Sequence, residues 1–93
     1  MYSYLIVFQN LSEWGLADNV SASVSFSIGG TQYSDVYVEQ AYKGNYHLHA
    51  TAGGKSRKFV IGSGKEEYDI IASVGALNLT EEQLKSLVAK YMA

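Results

Sequence analysis

Cysteine is absent from this 93-residue chain, which excludes a disulfide framework, a cysteine-based zinc site and a thiol nucleophile together. Long apolar runs are absent as well. Nothing approaches the ~20 residues that a membrane-crossing helix needs. The short run YLIVF at residues 4–8 has neither a basic segment before it nor a small-residue cleavage site after it. A soluble, cytoplasmic protein without a membrane partner is therefore expected. Charge of one sign is missing region by region. Residues 1–42 hold four acids (Glu13, Asp18, Asp35, Glu39) and no Lys or Arg, whereas 43–65 hold Lys43, Lys55, Arg57, Lys58 and Lys65 and no acid. The middle of a chain of net charge −2 is thus locally basic. No linker, internal repeat or low-complexity segment is present, so residues 1–93 read as one domain.

What is present is mostly sheet pattern. Val20, Ala22, Val24, Phe26 and Ile28 alternate with Ser21, Ser23, Ser25 and Ser27, the signature of a strand with an apolar face and a face of small hydroxyls. Gly29-Gly30 signals a tight hairpin. The return strand, 31–42, then sets Ile28 opposite Thr31 and Phe26 opposite Tyr33, but Val36 and Val38 have the wrong parity to join that face. A bulge near Ser34-Asp35 is expected, in preference to a hairpin covered on both sides. Lys43-Gly44-Asn45 reads as a turn into 46–51, where Tyr46, Leu48 and Ala50 face one way and His47 and His49 the other. Gly53-Gly54 opens a loop before a short strand at 58–61. Residues 4–8 and 68–74 are apolar on both parities and read as buried strands, and 12–19 as a loop or single helical turn. The carboxyl terminus reads as a helix, with Thr80 as its cap, Gln83 at the capping-box position, Leu79 stapled to Leu84, and an apolar stripe of Leu84, Leu87, Val88 and Tyr91. These elements predict an α+β fold: a mainly antiparallel twisted sheet of five or six strands with the carboxyl-terminal helix packed on one face. The competing architecture is a small β-barrel or sandwich capped by that helix.

No motif names a reaction. His47 and His49 share a strand face at a spacing that gives a metal two imidazoles, yet zinc needs further ligands, and Asp35, Glu39 or Asp69 reach them only through folding. The expectation is a solvated strand face, with no metal or other cofactor. Gly62-Ser63-Gly64-Lys65 departs from a phosphate loop in spacing, in the residue after the lysine, and in the strand expected where a helix is required. The serines alternate as a strand face, not as activated nucleophiles. Asn78-Leu79-Thr80 fits a glycosylation triplet, but Thr80 is better read as the helix cap. Two readings remain. The leading one is a small non-enzymatic module that binds a protein partner or self-associates (an inhibitor, adaptor or assembly component) through the serine face and Trp14, Tyr33, Tyr37, Tyr42 and Tyr46. The alternative is nucleic-acid binding through Lys43, Lys55, Arg57, Lys58 and Lys65, with Tyr42, Tyr46 or Phe59 stacking on bases.

Overall fold

The computed structural model describes residues 19–41 and 44–93. The strand expected at 2–11, the loop carrying Trp14, and Tyr42 and Lys43 lie outside the described residues. Four strands follow in chain order: β1 (Val24–Ile28), β2 (Thr31–Gln40), β3 (Tyr46–Ala52) and β4 (Lys55–Ile61). They pair antiparallel in sequential order, β1-β2-β3-β4. Among the described residues this is an open sheet, not a barrel or sandwich. The β1–β2 turn needs both of its glycines, because Gly29 (φ 57°) and Gly30 (φ 85°) each take the left-handed conformation that twists a two-residue hairpin correctly.

Register in β2 decides which side chains reach which face. Phe26 pairs with Tyr33 and Val24 with Val36, while Ser34 pairs with Thr51 and Tyr37 with His49. In both ladders β2 contains one residue more than its neighbour. The extra residue is Asp35, in left-handed backbone at φ 52°, a conformation that aspartate tolerates better than most residues. After the bulge, Val36 and Val38 fall on the face already held by Tyr33, and both are fully buried. A regular strand would expose the two valines and turn Glu39 inward. Burying valine is worth roughly 1.5–3 kcal/mol each, and an unpaired buried carboxylate costs more still, so the bulged register wins.

A second irregularity corrects the reading of 20–28 as one evenly alternating strand. Val20 bridges Glu39 and Val24 pairs with Val36, four residue steps against three. The parity flips between them and turns Ser21 inward, where it is 4% exposed. Its hydroxyl accepts the Val38 N–H at 3.0 Å, and its own N–H donates to the Val38 carbonyl at 2.9 Å. The serine thus replaces a ladder bond that the irregular backbone leaves unmade.

The expected five or six strands with one helix are also corrected. Residues 68–74 are not a strand: α1 spans Glu66–Val74. Glu66, Glu67 and Asp69 fill its first turn, where they favour the positive end of the helix dipole, and Gly75 (φ 83°) closes it with its N–H on the Ile71 carbonyl. Tyr68, Ile71 and Val74 recur at helical spacing toward the core, while Ile70 stays 45% exposed. Among the described residues the architecture is a four-stranded antiparallel sheet with two helices. A 3-10 turn (Ala76–Asn78) leads to α2, Glu81–Tyr91. In α2 the Gln83 N–H donates to Thr80 Oγ1 and the Thr80 N–H to Gln83 Oε1, a complete capping box.

Both helices lie on the inner face of the sheet. Ile71, Leu79, Leu84, Leu87 and Val88 pack there with Val36, Val38, Leu48 and Ile61. Tyr91 stacks on Phe59, ring centroids 4.4 Å apart. Polar contacts also tie α1 to α2: Lys90 Nζ meets Glu67 Oε2 at 2.5 Å, and the Tyr91 hydroxyl donates to the other oxygen. The Lys90 hydrogen bond, then that of Tyr91, hold the Glu67 carboxyl down at about 2. Among the described residues no helix is long and apolar enough to cross a membrane.

Candidate functional site

The outer face of the sheet, opposite the helices, carries the side chains that the core does not use. On β3, residues two apart point the same way, so His47 and His49 share this face. The hairpin that pairs Gln40 with Tyr46 sets Glu39 directly opposite His47 and one diagonal step from His49. The Asp35 bulge is what turns Glu39 and Tyr37 outward to meet them. The result is a compact group: Glu39 Oε1 lies 2.9 Å from His49 Nε2 and 3.9 Å from His47 Nδ1. Their side chains are 31%, 24% and 23% exposed respectively, neither core nor fully solvated. Tyr37 stacks on His49 with ring centroids 4.5 Å apart and planes 12° from parallel, which fixes the imidazole plane. Burial first, then the charges of Glu39 and Asp35, push the Tyr37 phenol above its ordinary value, so it stays a neutral hydroxyl.

Beside this group an open groove of about 340 Å³ runs from the bulge toward β4, lined by Ser23, Asp35, Tyr37, His49, Ser56 and Arg57 among others. Of the three acids weighed as partners for the histidines, Glu39 converges with them. Asp35 lies at the groove, and Asp69 is on α1 in the helix layer, across the sheet.

The tyrosines divide. Tyr33 and Tyr46 are 3% and 6% exposed and belong to the core, Tyr33 against Phe26 and Tyr46 edge-on to Tyr68. Tyr37 is the described tyrosine of the expected contact set that faces outward. The basic residues divide too. Ala50 pairs with Arg57 and His49 with Lys58, which sends those two side chains toward opposite faces; Lys55, Arg57 and Lys58 all lie exposed on β4. Lys65 sits over the Phe59 and Tyr91 rings, 5.4 and 5.6 Å from their centroids, on the helix side. The glycine-rich turn 62–64 leads into α1, not into the strand expected there. Even so, that helix opens on Glu66, Glu67 and Asp69, which repel an anion.

Glu39 is one of three acids that the sequence offers the histidines, and no local pattern singles it out. A hairpin centred on residue 43 already places 39 opposite 47; what hid the cluster was the uncertain parity of β2. No protein-family model, curated protein or solved structure matches this chain.

Proposed function

We propose that this domain is a small non-enzymatic protein-binding module whose working surface is the outer sheet face where it meets β4. The observation that carries the reading is the Tyr37–His49 stack beside the open groove, with Arg57 on its lining. An aromatic ring already held by stacking loses little side-chain entropy on docking, and tyrosine and arginine are the residues that most often dominate interface energetics.

The partner we infer is a second protein that presents an extended acidic segment. Lys58 points to this outer face beside His49, while Lys55 and Arg57 lie on the other parity of the same exposed edge strand, so that carboxylates are attracted along β4. The same charges oppose a homo-oligomer built on this strand, because antiparallel pairing of two β4 strands brings like charges opposite or diagonal to one another.

Differential capture tests this reading. Wild-type protein and Tyr37→Ala are presented to nuclease-treated lysate of the native host, and the partner's affinity for each is then measured. The substitution leaves the core intact and is expected to weaken the partner by about 30-fold, the ~2 kcal/mol of an interface hot spot. Equal affinity for both proteins overturns the reading. So does a ligand that nuclease removes and that salt releases steeply, which would assign β4 to nucleic acid.

A further inference from the structure

We propose that Glu39, His47 and His49 bind one divalent transition-metal ion of the zinc type. The site shares His49 and its stacked Tyr37 with the protein-binding surface but is testable without any partner.

Three observations converge on it. The first is composition. The chain has two histidines and no cysteine, so all of its imidazole donors sit in this one cluster. The second is geometry. One donor atom from each of the three residues lies within 4.8 Å of the other two. A tetrahedral ion with bonds of about 2.05 Å needs donors about 3.3 Å apart. Glu39 Oε1 lies 2.9 Å from His49 Nε2 and 3.9 Å from His47 Nδ1. For these two pairs the adjustment is a few tenths of an ångström outward and about 0.6 Å inward, and the two imidazole donors, within 4.8 Å of each other, close by at most about 1.5 Å, all within reach of side-chain torsions.

The third observation is how the group is supported. Both imidazoles converge on a single carboxylate oxygen, whereas an ordinary strand-to-strand hydrogen bond uses one. His47 and Glu39 are fixed by direct cross-strand pairing, and His49 is held in plane by the Tyr37 ring. Such orienting contacts are what metal-ligating histidines depend on. Tyr37 is thus a positioning residue here. Two neutral imidazoles and a carboxylate form a set that suits zinc and its neighbours in the first transition series, and that is a poor match to calcium or magnesium, which prefer oxygen. Three protein donors leave a fourth tetrahedral position open to water or another small donor.

The experiment uses the full chain, stripped of metal with a chelator and titrated with Co²⁺ and then Zn²⁺. Visible Co²⁺ absorption and its displacement by Zn²⁺ are the readouts. One equivalent is expected to bind. His47→Ala, His49→Ala and Glu39→Gln should each weaken binding by more than the roughly 10–100-fold seen when a mere outer-shell partner is removed. Tyr37→Phe, which keeps the stacked ring, should bind as wild type. Imidazole ¹⁵N spectra of the wild-type protein give a readout that does not depend on any variant folding: one nitrogen of each ring should shift on addition of one equivalent of Zn²⁺. Unsaturable uptake, undiminished binding by folded His49→Ala, or unshifted imidazole nitrogens each overturns the site.

Discussion

The two faces of this sheet are built from the same strands and serve opposite ends. On the inner face Val36, Val38, Leu48 and Ile61 are entirely buried beneath the helices. One residue along from each of the first three, Tyr37, Glu39, His47 and His49 remain half-buried and make polar and aromatic contacts with one another. The strand period separates stability from chemistry at single-residue resolution. A substitution on one face should therefore cost folding free energy, and on the other it should cost binding with little change in folding.

The sharpest way to break that comparison is to truncate adjacent residues on opposite faces. Leu48→Ala opens a cavity under α2 and is expected to destabilise the domain by about 2–5 kcal/mol. His49→Ala removes one hydrogen bond and one ring stack on the outer face and should cost no more than about 2 kcal/mol. Chemical denaturation of both variants checks this, and equal losses would mean that the outer face is structural. Ser21→Ala probes the second irregularity. It leaves the buried Val38 N–H without its acceptor and should cost about 1–3 kcal/mol, whereas the same change at exposed Ser25 should lie within about 0.5 kcal/mol.

The bulge sets which side chains lie on which face, and it can be tested by residue type alone. Asp35→Val forces a β-branched side chain into left-handed backbone and should destabilise by about 1–2 kcal/mol, while Asp35→Gly should be neutral or better. If both variants match wild type, the left-handed bulge is absent in solution. The last test concerns the polar contact between the two helices. Glu67 drops from an ordinary 4.5 to about 2 on folding, so the unfolded chain takes up its proton first. Its contribution is therefore complete above pH 4.5 and is lost as the pH falls from 4.5 toward 2. Glu67→Gln should flatten the stability-against-pH curve across that window, and an unchanged slope would place the Lys90 and Tyr91 contacts outside the stability of the fold.

Much of this molecule was legible locally. The Gly29-Gly30 hairpin, the capping box at Thr80 and Gln83, and the apolar stripe of α2 all depend on residues within one turn of each other, where backbone sterics and short hydrogen bonds decide the outcome. The α1 helix was obscured because Ile70, Ile71 and Val74 are β-branched and favour strands by propensity. The acidic first turn and Gly75 carried the helical signal instead, and packing of Tyr68, Ile71 and Val74 against the sheet outweighed the propensity.

The sequence by itself determined that His47 and His49 share a face, since two residues along any strand is one full period. It could not determine which acid stands beside them. That choice depends on the parity of β2, and parity is settled by the free energy of burying Val36 and Val38 on the same face as Tyr33, with Asp35 absorbing the extra residue. Only the assembled sheet and the helices above it supply that burial, so only the tertiary structure decided the bulged register in which Glu39 can stay beside the histidines while Tyr33 joins the core.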